Sequence, residues 1–258
     1  MGKIKKRCVL EQFYMMTVAM YLYDFDTLKL FCCVNKKCEG ATSNLKINPN
    51  FQDSLYYRRK CTLKQRTKLF EKELKFFDHI DTLRGSFSMI SSFPLEKIKS
   101  YSLFDIFHEG CGNNDLFKEI QPKITSLEFI FNGRFEGTAY MPLLKKLKVM
   151  FLNDSNSLTS LHFHVNSLTS LLSQKTIGSL NHFIIICFML DDCFLPLLQT
   201  VQSVHQSCQI AICVKGSVSI SVAKKFTPFA TIIQTSKEAM FYGELDKELR
   251  VVALQEIH

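Results

Sequence analysis

From about residue 120 onward, short apolar clusters recur with inward positions two residues apart, the period of a β-strand. The fullest cluster runs from Leu158 to Leu168 and places Leu158, Leu161, Phe163 and Leu168 in the spacing LxxLxLxxNxL, with Asn166 in the Asn position. This spacing predicts a short strand, followed by an Asn whose side chain satisfies backbone groups where the chain bends away. Ile124, Leu127, Phe129 and Asn132 repeat it, as do the first halves Leu144, Leu147, Val149 and Leu180, Phe183, Ile185. Fainter copies are Ile210, Ile212, Val214, then Phe229, Thr231, Ile233, and finally Leu249 with Val251. A unit of this size cannot bury its own apolar face, so the copies are expected to stack on one another in a parallel ladder. The step from 144 to 158 is too short for a normal repeat. Either two strands share one turn there or one match is accidental. The hexapeptide NSLTSL, found at 156–161 and again at 166–171, allows a shifted register.

Helical spacing appears elsewhere. Leu10, Phe13, Tyr14, Met16, Val18, Tyr21 and Leu22 recur at three and four, and Asp24 and Asp26 open a second segment carrying Leu28, Leu30, Phe31 and Val34. Asn48-Pro49-Asn50 then breaks the chain. Two or three short helices are therefore expected in residues 1–50, ahead of a strand-bearing region over 51–258. Strand candidates at Ile80 to Phe87 and Ile98 to Phe104 extend the ladder upstream, and Phe194, Leu197, Leu198 and Val201 mark a helix after the fourth copy. Strand, helix, strand in repeated order predicts an α/β fold with a parallel sheet.

The spacing of the later copies is that of leucine-rich repeats. The first fifty residues resemble an F-box: Leu10, Val18, Tyr21-Leu22, Asp26-Thr27-Leu28, Leu30 and Val34-Asn35-Lys36-Lys37-Cys38 take that motif's places, with Glu11 where its Pro stands and Cys38 where its Trp stands. Together the two regions resemble the expanded protozoan families that put an F-box-like head before degenerate leucine-rich repeats. The resemblance implies a leucine-rich-repeat-like solenoid behind a small helical head. It also implies a substrate receptor of a cullin-type ubiquitin ligase, with Leu10, Val18, Tyr21, Leu22, Leu28, Leu30 and Val34 binding the adaptor. A head that only caps the first repeat remains the alternative, since solenoid ends must be covered.

In the strand reading, the residues between the inward ones face the open concave side: Glu128 and Ile130, Lys148 and Met150, His162 and His164, Ile184 and Ile186, with Ala211 and Cys213 beyond. The later part of that strip is apolar and calls for a covering segment or a protein partner. Two histidines on one strand face have a spacing that metal ligands use, but two ligands make no site, and only Glu128 or Cys187 offers a chance completion. A partner surface is the simpler reading, with no metal and no cofactor.

Charge adds one further candidate. The 32 basic and 24 acidic residues leave +8, and Arg58, Arg59, Lys60, Lys64, Arg66 and Lys68 cluster beside Tyr56 and Tyr57, a composition that suits phosphates and bases. Leu63, Phe70, Leu74 and Phe77 at helical spacing favour a solvated helix face instead, and no nucleic-acid-binding signature accompanies the patch. Gly110-Cys111-Gly112-Asn113-Asn114, next to His108, reads as a loop and not as a nucleophile or ligand. Ten cysteines without framework or CxxC spacing, behind a basic start with no signal-peptide core, are expected to be reduced thiols in the cytoplasm or nucleus. No apolar run is long enough for a membrane span. Position 6 is Lys where a myristoylation motif has Ser or Thr. Phosphate-binding, dinucleotide-binding, serine-hydrolase and zinc-hydrolase motifs are all missing, so a non-catalytic interaction protein is expected.

Overall fold

A computed structural model describes residues 11–22, 25–49, 62–77, 79–90, 98–107, 115–131, 139–151, 158–214 and 218–234. The chain divides into two compact units, residues 1–84 with 92–98, and residues 85–91 with 99–258.

The first unit holds helices α1 (Gln12–Tyr21), α2 (Phe25–Val34), α3 (Lys36–Ser43) and α4 (Leu63–Leu74). Helix α3 starts where the Asn35 side chain accepts hydrogen bonds from the backbone N–H groups of Lys37 and Cys38, at 2.9 and 3.0 Å. Helix α4 starts at a capping box between Thr62 and Gln65. Ala19, Leu28, Leu45 and Phe77 form one buried cluster, with Leu22, Phe76 and Ile80 against it. Met15, Cys38 and Ala41 form a second. The helical core thus extends past residue 50, through the Phe25, Phe76 and Phe77 edge-to-face ring contacts. Asn48 is buried, and its side-chain amide accepts from Arg84 N and donates to Arg84 O, both at 2.7 Å. That pair imitates a ladder rung with a side chain.

The strands are β1 (Thr82–Ser86), β2 (Ser100–Phe107), β3 (Ile124–Phe131), β4 (Lys146–Phe151), β5 (His182–Cys187), β6 (Gln209–Val214) and β7 (Thr231–Gln234). They form one seven-stranded sheet in chain order, and β2 to β7 pair parallel. Among the described residues the intervening helices are α5 (Phe87–Ile90), α6 (Asp115–Ile120), α7 (Leu158–Leu172), α8 (Phe194–Val204) and α9 (Ile220–Phe226). The chain is therefore α/β, and each strand is laid beside its predecessor in solenoid-like order.

The inward sets of β3 to β6 are buried as expected: Leu127 and Phe129, Leu147 and Val149, Phe183 and Ile185, Ile210 and Ile212. Leu161, Val165, Leu168 and Leu172 of α7 and Phe194, Leu197, Leu198 and Val201 of α8 are buried as well. Phe151 meets Phe194 edge to face at 5.4 Å. Each such side chain contributes roughly 1.5–3 kcal/mol on leaving water.

Two expectations about strands are corrected. The fullest template match, Leu158 to Leu168, is helix and not strand. Its buried residues Leu161, Val165, Leu168 and Leu172 follow the 3.6-residue period, while Phe163, which a strand would bury, is 42% exposed. The short 14-residue step therefore came from an accidental match lying in the crossover between β4 and β5. In β7 the parity is shifted by one: Ile232 pairs with the inward Ile212, so Thr231 and Ile233 lie on the opposite face. The copy at Leu249 and Val251 lies outside the described residues.

A tight crossing precedes β5. Gly178 N donates to Met141 O at 2.9 Å, beside a parallel bridge between Met141 and Ile177. A Cβ on Gly178 would collide with the Pro142 carbonyl, coming within 2.8 Å of its carbon. Gly178→Ala is expected to destabilise the sheet unit by about 1–3 kcal/mol through forced backbone movement. Gly40, in α3 with nothing near its missing Cβ, should gain up to about 1 kcal/mol when changed to Ala. Denaturant midpoints of the two variants, read in their own units, check the opposite signs.

Candidate binding surfaces

Parallel register sets the surface of the sheet. Glu128, Lys148, Ile184, Ala211 and Thr231 form one cross-strand row. Ile130, Met150, Ile186, Cys213 and Ile233 form the next. The predicted face residues on strands are thus brought onto one side in two aligned rows. His162 and His164 are not among them. Both lie on α7, two residues and so about 200° apart, and cannot present one ligand pair.

The strip is also not open. Ile184, Ile186, Cys213 and Ile233 are all buried, Ile186 to 2% exposure, and form a cluster with Met150 and Ala211 that is separate from the helix-backed core. Lys148 is buried to 5%, and its Nζ donates to Glu128 Oε1 at 2.9 Å. Ile130 belongs to the row by backbone register, and its side chain lies outside the described residues. Toward the strand starts the same face carries Ser126, Lys146, His182 and Gln209 in one row, which is half-buried to exposed. This polar row is the more accessible part of the face.

On the helical unit the situation is reversed. Tyr14, Val18 and Tyr21, at i, i+4 and i+7 of α1, are exposed, Val18 to 43%. Leu30 and Val34, at i and i+4 of α2, are exposed to 70% and 68%. Two adjacent turns of apolar side chain therefore face solvent on each helix. Leu28 is fully buried and Leu22 packs on the buried cluster, so these two belong to the core and not to the predicted contact surface. Leu10 lies outside the described residues. Phe13, 70% exposed, joins the α1 surface and was missed because a helical pattern does not reveal which stripe of a two-sided helix turns inward.

Of the basic stretch, Lys64 and Lys68 are exposed on α4, while Tyr56 to Lys60 lie outside the described residues. The His108 and Cys111 loop lies outside them too. The described cysteines are free thiols. Burial pushes Cys187 well above the ordinary thiol range, an environment opposed to nucleophilic use. In the helical unit, burial raises Glu73 to about 7, opposed by Lys29 and reinforced by Asp26. Among the described residues no helix is long and apolar enough to cross a membrane.

One buried histidine shapes the pH response. His205 Nδ1 accepts from Leu180 N at 3.4 Å at the carboxyl end of α8, and burial pushes its pKa below the ordinary 6.5, opposed by the Leu172 carbonyl. Protonating Nδ1 would set two N–H donors against each other.

No protein-family model matches the chain, and no curated protein or solved structure matches it either.

Two outcomes follow from this geometry. Glu128→Gln is expected to cost about 1–3 kcal/mol because Lys148 keeps its burial and loses its counter-charge. The double variant Glu128→Leu with Lys148→Met should recover most of that loss in a denaturant double-mutant cycle. For His205 the folded pKa is depressed, so the unfolded chain binds more protons as pH falls below 6.5. The stability contribution is complete above 6.5 and declines on acidification. The thermal midpoint of the wild-type sheet unit should lose more on acidification across that window than that of His205→Gln, which keeps an acceptor for Leu180 N. Glu73 of the helical unit, raised and so opposite in sign, is common to both chains and leaves this difference intact.

Proposed function

We propose that this chain is a non-catalytic interaction protein whose helical head docks a protein partner through the exposed apolar faces of α1 and α2. The observation that carries this reading is the outward placement of Tyr14, Val18, Tyr21, Leu30 and Val34 while the interior of the same helices is already filled by Met15, Ala19 and Leu28. Apolar area at i, i+4 and i+7 suits a helical partner surface, which can bury it without rearranging the head. Four of these residues, Val18, Tyr21, Leu30 and Val34, are positions at which the chain resembles an F-box. The partner class this supports is the adaptor of a cullin-type ubiquitin ligase, in the cytoplasm or nucleus. The sheet unit then acts as a leucine-rich-repeat-like scaffold that meets a second protein through the polar Ser126, Lys146, His182 and Gln209 row. A cap with no ligase link is the competing reading.

Exposed positions give the cleaner test. Changing Leu22 disturbs the head's own core, whereas Val18→Asp and Leu30→Asp place charges only where a partner would bury them. Losing two apolar contacts of about 1.5–3 kcal/mol each should weaken binding of purified ligase adaptor by at least about tenfold, with circular dichroism and thermal midpoint unchanged. Wild-type chain that leaves the adaptor unbound would remove the ligase role and leave the cap. Binding that survives in both folded variants would move the contact off this face.

A further inference from the structure

The fold brings a metal-ligating side chain of α7 to two others that lie about thirty residues further along the chain. His162 stands on the outer side of α7, and its Nε2 is 3.2 Å from Asp191 Oδ1. Asp191 lies between β5 and α8, and Cys193 is the residue immediately before α8. The Cys193 backbone N–H donates to Asp191 Oδ1 at 2.8 Å, which orients the carboxylate. One nitrogen, one carboxylate oxygen and one thiol sulfur thus lie within 4.8 Å of one another.

We propose that His162, Asp191 and Cys193 form a binding site for a zinc-class divalent cation, with a water in the fourth position. Bond lengths of about 2.0–2.3 Å to N, O and S in a tetrahedral site put ligand atoms roughly 3.3–3.8 Å apart. The observed cluster therefore needs a contraction of about 1 Å, within the rotamer freedom of an exposed histidine and a half-buried thiol. A mixed N, O, S donor set selects zinc or cobalt over magnesium and calcium, which take oxygen ligands. Asp191 and the Cys193 thiolate bring two negative charges. The positive end of the α8 dipole opposes a cation at this place, but only as partial charge, against two full ones. His164, on the far side of α7, plays no part. Asp192 is turned to Lys225, whose Nζ lies 2.7 Å from its Oδ2, and is not needed.

Binding exchanges a proton for the metal: the Cys193 S–H bond breaks, an S–metal bond forms, and the proton passes to solvent. The product ties the outer side of α7 to the start of α8, two crossovers otherwise joined through their buried sides. This site is independent of the head and of any partner.

The test is titration of the chelator-stripped full chain with Co2+, followed by Zn2+. One equivalent of cobalt should develop the visible bands of tetrahedral coordination together with a near-ultraviolet thiolate-to-cobalt band, and zinc should displace both. Cys193→Ser should abolish the thiolate band, and His162→Ala and Asp191→Asn should each weaken binding at least about tenfold. These variants keep the fold, because Ser is a good residue at a helix start and Ala suits an exposed helical position. Calorimetry in two buffers should find about one proton released per metal. Absence of tetrahedral bands in the wild-type chain overturns the proposal, as does a thiolate band unchanged in Cys193→Ser, which would assign the metal to another cysteine.

Discussion

The parallel hydrogen-bond ladder from β2 to β7 is the constraint on which the sheet unit rests. Because each strand takes its register from the one before it, side-chain parity is inherited down the sheet. Leu127, Leu147, Phe183 and Ile210 fall in one row against the helices, and Glu128, Lys148, Ile184 and Ala211 fall in the row behind them. A slip of one residue in any strand would exchange these sets, putting Lys148 into the helix-backed core and Leu147 outside it. The tight passage at Gly178 serves the same register. The hydrogen bonds of Met141 to Thr176 and of Gly178 to Met141 fix the chain just before β5 begins.

The same ladder explains which parts of the fold were readable from residues alone. Strands buried on one side by helices repeat a short apolar code, and β3 to β6 were found from it, with β1 and β2 within a few residues of where the weaker pattern put them. The code failed at Leu158 to Leu168 because the template positions 158, 161 and 168, three and seven residues apart, also fall on one face of a helix. Only Val165 and Leu172, which extend the 161, 168 stripe, separate the helix from the strand. Parity failed at β7, where Ile232 and Ile233 are both apolar and the pattern offers no choice between them. Pairing with β6 made that choice.

The surfaces were less readable than the core, for a physical reason. Spacing reports which residues share a face, not whether that face meets solvent. It placed Ile184 and Ile186 correctly on one side, yet the cluster they form with Cys213 and Ile233 is buried. The F-box resemblance grouped Val18, Tyr21, Leu22, Leu28, Leu30 and Val34 as one contact set, of which Leu22 and Leu28 turned inward and the rest outward. The histidines were misplaced with their strand. Once on α7, His162 gained as neighbours Asp191 and Cys193, residues whose proximity is created entirely by crossover packing and leaves no local trace in the sequence.

The two units dispose of their apolar side chains differently. In the sheet unit, the apolar side chains of the central strands are covered on both faces, by α7 and α8 on one side and within the Ile184 cluster on the other. The head fills its interior with Met15, Ala19, Leu28, Cys38, Ala41, Leu45 and Phe77, and still leaves several large apolar side chains of α1 and α2 outside. A small helical unit that sets Phe13, Tyr14, Tyr21 and Leu30 in water forgoes several kcal/mol of burial, a loss that a bound protein surface would reverse. A cap covering a sheet end needs one apolar side at most. Outward stripes on both α1 and α2 exceed that need, which is the ground on which a docking head is proposed in place of a cap.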